Sequence, residues 1–174
     1  MPNIIVGTLL TYRRPRLLTG WLFALIGFLV ASGAAAEALA HAGLGMPGGL
    51  PWWAMLGAWY GEWYWIPMIY TTLILVPMLF PDGRAPTPFF RRATFVIVTA
   101  LVVFTVLAAL QEILDVPNVP ASTPGIPNPV GVAGLADIEE GFGSLVLVVV
   151  TGSALVTTLL SLIIRYRRSR GVER

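Results

Sequence analysis

Residues 13–40, RRPRLLTGWLFALIGFLVASGAAAEALA, decide the fold. Arginines lead directly into an apolar run, Leu17 to Ala40, whose one ionisable residue is Glu37. The hydrocarbon core of a bilayer is about 30 Å thick and takes roughly 20 apolar residues in a helix. Lipid offers no partners to backbone amides, and the run lacks the alternation of a barrel strand. The run therefore predicts a transmembrane helix.

The composition extends this prediction to the whole chain. Its 174 residues are 56% hydrophobic and 11% charged, and the mean hydropathy is +0.79. A soluble domain carries about 25% charged residues, so the charged surface is too small to face water on all sides. The absence of cysteine excludes disulfides and thiolate metal sites. The sequence pI near 9.4 does not indicate nucleic acid, because the arginines flank apolar runs and serve better as topology signals.

We predict an all-α fold, a bundle of four transmembrane helices at about 17–40, 60–80, 93–114 and 142–164. The segment from residue 52 to 80 is too long for one perpendicular span, so its first part, 52–60, is expected to lie along the outer interface. The run IIVGTLL at residues 4–10 is too short to cross. It forms either a stub or a surface segment.

The arginines orient the bundle. All 11 basic residues are arginines, and none falls in the loops at 43–51 and 115–141. Short loops rich in arginine stay in the cytoplasm. We therefore predict a multi-pass protein of the inner (plasma) membrane with both termini cytoplasmic: a segment 1–16, a membrane domain 17–164 and a basic tail 165–174. The alternative of a twin-arginine signal peptide is disfavoured, because the first run is long enough to span.

The stretch LFPDGRAPTPFFRR at residues 79–92 predicts a cytoplasmic hairpin between the second and third spans. Pro81 cannot continue a helix, and Asp82 and Gly83 are turn residues. Arg84 completes this turn. An alternative use of Arg84 is to bind an anion.

Ionisable residues in a span are costly and suggest function. Glu37 and His41 are four residues apart and share one helix face. Glu62 is at a similar depth if the first two spans form an antiparallel hairpin. With Trp59 and Trp63, these groups could sense protons, since histidine titrates near neutrality, or hold a cationic ligand. Simple anchoring at the headgroup layer explains the same residues. One histidine among scattered carboxylates is not a metal ligand set, and no cofactor is expected.

The small residues of the first span allow close helix packing. Ala31 and Ala35, and likewise Ala34 and Ala38, have the small-xxx-small spacing. The partner is either another helix of the chain or a second copy, which would give a homodimer. The outer loop carries five prolines between residues 117 and 129, which favours an extended, exposed connector.

The order of four motifs resembles the membrane-embedded N-terminal region of certain actinobacterial sensor histidine kinases. These motifs are RRPRLLTGW, LFPDGRAPTP, IPNPVGVAGL and SLIIRYRRSRGVER, and the resemblance covers residues 13–174. It implies a signal-input module of a two-component system. The stimulus would leave through the fourth helix and an output tail towards a cytoplasmic kinase or response partner. That tail contains Arg165, Arg167, Arg168 and Arg170.

In that family a dimerisation domain with the phosphoacceptor histidine and an ATP-binding domain follow, and neither is found in residues 1–174. No catalytic constellation is recognisable in the sequence, so we do not expect an enzyme. The alternative is a small membrane protein with a structural, binding or transport-accessory role. Transport needs a polar path through the bilayer, and the third and fourth spans offer only hydroxyl groups at mid-depth.

Overall fold

The fold is described by a computed structural model at residues 2–13, 15–44, 46–47, 49–80, 83–116, 125–135 and 144–170. This part of the chain is mostly helical. Its helices are α1 (Pro2–Arg13), α2 (Leu18–Leu44), α3 (Trp52–Trp63), α4 (Trp65–Tyr70), α5 (Val76–Leu79), α6 (Pro88–Ala109) and α7 (Ser144–Arg170). A π-helix, Thr71–Leu75, joins α4 to α5, and two short strands are β1 (Ile113–Leu114) and β2 (Ile126–Pro127).

Three helices are long and apolar enough to cross a membrane. They are α2, α6 and the part of α7 at Leu147–Arg167. Large apolar side chains on them point away from the rest of the chain: Phe95 of α6 is 72% exposed and Val148 of α7 is 68% exposed. Because lipid would cover such surfaces, three of the four predicted spans fit a membrane protein.

The second predicted span, 60–80, is an interrupted helix. Pro67 and Pro77 have no amide hydrogen, so each removes one bond from the helical ladder. Just before Pro77 the chain widens into the π-helix, in which the amide of Val76 donates to the carbonyl of Thr71. The segment therefore consists of several short helical pieces rather than one regular α-helix.

Helix α3 runs antiparallel beside the second half of α2. A Cβ atom on Gly57 would lie 2.5 Å from the carbonyl oxygen of Ala36, so the two backbones touch. The hydroxyls of Ser32 and Tyr60 are 2.7 Å apart and hydrogen-bond across the same interface. The expectation that residues 52–60 lie along the outer interface is therefore wrong. Small residues on both helices make lengthwise packing possible.

The face of α2 that packs on α3 does not carry the small-xxx-small pairs that the sequence shows. Ala34, Ala35 and Ala38 are exposed and Ala31 is half-buried. The stretch ASGAAAEA offers small residues on several faces, and a second copy as the partner of the exposed alanines stays a prediction. The residues buried along this face are Gly33, Ala36, Ala40 and Gly43.

Helix α1 packs antiparallel against the first half of α2. A Cβ on Gly7 would lie 2.8 Å from the Cα of Ala24, and one on Gly20 would lie 2.9 Å from the Cβ of Leu10. The run at 4–10 is thus a helical stub packed on the first span. The cytoplasmic position of segment 1–16 stays a prediction.

The third span is displaced by five residues from its predicted position, since α6 runs from Pro88 to Ala109 rather than from residue 93 to 114. The chain then forms β1, which pairs antiparallel with β2 in the register Leu114 to Ile126. Both residues are buried in a cluster with Ala40 and Ala58. The described part of the proline-rich loop is therefore anchored on α2 and α3 through Leu114, Val116 and Ile126, whereas residues 129–130 and 132–134 are exposed. Residues 117–124 and 136–143 lie outside the described residues.

The main core surrounds the interrupted second segment. Ile74 is 1% exposed and Met78 is fully buried. Their cluster includes side chains from α2, α6 and α7, among them Leu22, Ile97 and Ala154. The long helices α2, α6 and α7 thus pack around the proline-containing second segment. Because the core is close-packed, a shift of this segment would change the packing of each long helix.

Candidate functional site

The predicted sensing residues on α2 approach one another. The His41 Nε2 lies 3.9 Å from Oε1 of Glu37, one helical turn away. Both side chains are 36% exposed, so the pair lies at the boundary of the packed structure. In the described part of the chain, no three histidine or acidic residues are arranged to hold a metal ion.

Glu62 ties α3 to the chain that follows α6. Its Oε2 accepts a hydrogen bond from the backbone amide of Asp115 at 3.1 Å. The backbone carbonyl of Glu62 accepts a bond from the Trp65 indole at 2.8 Å. This carboxylate therefore has a structural partner in a segment 53 residues away.

The two predicted tryptophans differ in their surroundings. The Trp59 Nε1 donates to the carbonyl of Ala109 at 2.8 Å, at the last residue of α6. The Trp63 Nε1 is buried and has no hydrogen-bond partner within the described residues. The two rings meet edge to face, with centroids 5.5 Å apart. Trp59 thus links α3 to α6, whereas the indole N–H of Trp63 is buried without an acceptor among the described residues.

Asn128, beside the C-terminal end of α6, is the main residue that sequence reasoning missed. Its Nδ2 donates to the carbonyls of Ala109 and Gln111 at 3.1 and 2.6 Å. Its Oδ1 accepts the amide of Val130 at 3.1 Å. The side chain satisfies carbonyls left open where α6 ends. The signal in the sequence is the Asn128-Pro129 pair, since asparagine bonds its own backbone two residues on in turns.

At the other end of the helices, the predicted turn contacts the start of α2. Gly83 has φ +70°, which favours glycine, and its amide donates to the carbonyl of Leu79 at 2.8 Å. A Cβ on Gly83 would lie 2.9 Å from the Cβ of Leu18. Pro81 and Asp82, the other predicted turn residues, lie outside the described part of the chain.

Arg165 connects α7 to this turn. Its guanidinium donates to the carbonyl of Met78 at 3.2 Å and to the carbonyl of Arg84. The Ser161 hydroxyl, one helical turn earlier, lies 3.4 Å from the same Met78 oxygen. We call these four residues the inner joint. Arginine suits this position because carbonyls at a helix end lack backbone partners.

The other residues of the predicted output tail are placed differently. Arg167 is exposed, and the side chains of Arg168 and Arg170 lie outside the described part of the chain. The prediction grouped Arg165 with them and missed its role in the inner joint. The available signal was its spacing: Ser161 and Arg165 are four apart and lie on one helix face.

A second polar contact joins α7 to the interrupted second segment. The Tyr70 hydroxyl, in α4, hydrogen-bonds the Thr151 hydroxyl in α7. Other hydroxyls in the long helices bond to their own backbone, as Thr105 does to the carbonyl of Leu101 and Thr158 to that of Ala154. The Tyr70–Thr151 bond therefore joins two helices, whereas the hydroxyls of Thr105 and Thr158 bond only within their own helix.

Comparison with known proteins adds no family. No protein-family model matches the chain, and no match is found among curated proteins or solved structures. Inference about function therefore rests on the sequence motifs and on the contacts described above.

Proposed function

We propose that the chain is a non-catalytic signal-input module of a two-component, histidine-kinase-like system. It passes a stimulus through α7 to a cytoplasmic kinase or response partner. The observation that carries this proposal is the inner joint, in which Arg165 of α7 bonds the carbonyls of Met78 and Arg84. A displacement of the second segment would reach α7 through these bonds.

The membrane domain in this proposal is a bundle of four crossings, with residues 52–79 as the interrupted one. The backbone at Tyr64 keeps helical angles, φ −60° and ψ −29°, so α3 and α4 continue one another. At about 1.5 Å per residue the segment would be ~42 Å long, enough to cross. The π-helix and Pro77 supply a place to bend, since π-segments and prolines are frequent causes of helix kinks.

The proposed orientation follows from the arginines. The turn before α2, the hairpin at 83–92 and the C-terminal end of α7 lie on the cytoplasmic side of the inner membrane. Helix α7 continues to Arg170, beyond the inner joint. A shift or rotation of α7 would therefore be carried out of the bilayer to the partner. Such a signal requires two helix arrangements that bind the stimulus with different affinities.

The proposed binding site for the stimulus is at the end of the bundle away from the inner joint. The Glu37–His41 pair lies there, and Trp59 and Glu62 hold α3 to the last residue of α6 and to the chain that follows it. A proton or a cationic ligand bound among these groups would change how α3 packs on α2. Because α3 and α5 belong to one interrupted helix, the change would extend towards Met78.

The test is a fusion of residues 1–174 to a histidine-kinase core. We expect a membrane-bound, autophosphorylating homodimer. Arg165→Gln removes the inner joint and should change autophosphorylation several-fold, whereas Arg167→Gln removes an exposed arginine and should not. A soluble or inert fusion, or equal effects of the two substitutions, would contradict the proposal.

A further inference from the structure

An open cleft lies beside the hairpin that follows the second segment. Its volume is about 720 Å³, and we call it the inner cleft. Helix α6 forms one wall, with Arg91, Phe95 and Val98 following each other along the same side. Besides these three, Arg84, Leu79 and Leu18 line it.

The lining changes from charged to apolar along α6. Arg91 is in the first turn of the helix, and Val98 lies seven residues later, about 10 Å further along the axis. Phe95 and Val98 remain 72% and 37% exposed, so the apolar end of the cleft is open. Since α6 has the length and composition of a membrane span, its arginine end lies at headgroup depth and its valine end lies among acyl chains.

We propose that the inner cleft binds one anionic phospholipid. The phosphate lies between Arg84 and Arg91, and an acyl chain follows Phe95 and Val98. Guanidinium groups match phosphate oxygens with paired hydrogen bonds, and the cytoplasmic leaflet is the one rich in anionic lipid. The side chain of Thr87 makes no capping bond to α6, so its hydroxyl is a further donor at the charged end.

The site adjoins the inner joint. Arg84 lines the inner cleft, and its carbonyl accepts the hydrogen bond from Arg165. A lipid bound to Arg84 would therefore also stabilise the contact between α7 and the hairpin. The proposal rests on the cytoplasmic position given to this hairpin above, but it does not require the chain to signal.

The test uses the full chain, purified in neutral detergent and mixed with equal amounts of dioleoylphosphatidylglycerol and dioleoylphosphatidylcholine. Native mass spectrometry then counts the lipid retained. We expect retention of the anionic lipid to exceed that of the zwitterionic lipid about tenfold. Arg84→Gln and Arg91→Gln should each lower it about fivefold, which is the effect of one arginine near a lipid headgroup. Arg92→Gln is the matched control, because Arg92 is exposed and lies outside the cleft.

A second variant separates a lipid from a free phosphate. Val98→Trp fills the apolar end without touching the arginines and should lower lipid retention about as much as Arg91→Gln. Inorganic phosphate at millimolar concentration should not displace the lipid. The proposal is overturned if the two lipids are retained equally, if Arg92→Gln acts like Arg91→Gln, or if Val98→Trp has no effect while phosphate displaces the lipid. These results are obtained without a kinase, so they do not bear on the signalling proposal.

Discussion

The guanidinium of Arg165 lies 3.2 Å from the carbonyl oxygen of Met78, and the two residues are 87 apart in the sequence. The contact joins the long helix that leads to the basic tail with the end of the interrupted second segment. An arginine in this position satisfies carbonyls that the helix end leaves open. It also explains how a residue that looks like part of a solvated tail belongs to the packed structure.

Arg165→Ala should destabilise the protein. It leaves the carbonyls of Met78 and Arg84 without this donor, and hydrogen bonds to charged groups contribute about 1.5–3 kcal/mol. Arg167→Ala is the control, because Arg167 is exposed on the same helix. The free energy of unfolding in mixed micelles measures both. Equal values for the two variants would mean that the inner joint does not form.

Gly57→Ala should weaken the packing of α3 on α2. The added Cβ would lie 2.5 Å from the carbonyl oxygen of Ala36, and overpacking of this kind costs about 1–3 kcal/mol. In the same helix, a Cβ on Gly61 meets nothing within 4 Å. Gly61→Ala should therefore be neutral or stabilise by about 0.5–1 kcal/mol. The midpoint of thermal unfolding of both variants measures the difference. A Gly57→Ala protein as stable as the wild type would show that α2 and α3 do not touch at Gly57.

Trp59→Phe and Trp63→Phe should differ although they remove the same atoms. The first loses the indole bond to the carbonyl of Ala109, whereas the second removes a buried donor that has no partner in the described structure. Trp59→Phe should be the more destabilising, by about 0.5–1.5 kcal/mol, because both substitutions lose the same volume but only Trp59→Phe also loses a hydrogen bond. Chemical denaturation of the pair measures the difference, and a reversed order would refute the assignment.

Asn128→Ala should loosen the outer end of α6. The substitution leaves the carbonyls of Ala109 and Gln111 without the amide donor, at about 1–3 kcal/mol. Asn128→Asp has nearly the same shape and keeps the acceptor for Val130, but it turns an oxygen towards these carbonyls. It should be at least as destabilising as Asn128→Ala. Unfolding of an Asn128→Asp protein at the wild-type midpoint would contradict this account.

Much of the membrane architecture follows from local composition. The helices α2 and α6, and most of α7, are recognisable because a lipid-facing helix must be apolar over its whole length. Pro67 and Pro77 mark the second segment as one that cannot be a regular helix. The arginine positions give the orientation that we propose. Each of these signals is contained in a window of about 20 residues.

The candidate site could not be predicted in the same way. The bonds of Arg165 to Met78 and of Trp59 to Ala109 join residues 87 and 50 apart, and no local pattern encodes such pairs. The face of α2 that meets α3 could not be chosen from the sequence, because the second half of that helix has small residues on several faces. Asn128 carried a turn signal, but which carbonyls it satisfies depends on where α6 ends.

The central claim is that the inner joint and the hairpin at 83–92 face the cytoplasm, while the segment around Val130 faces outward. The chain has no cysteine, so single introduced cysteines report one position each. Arg92 and Val130 are both exposed and suit this purpose. A membrane-impermeant maleimide applied to right-side-out vesicles should label Val130→Cys at once and Arg92→Cys only after the membrane is opened. Immediate labelling of Arg92→Cys, with Val130→Cys protected, would contradict the orientation and the outward path of the signal along α7.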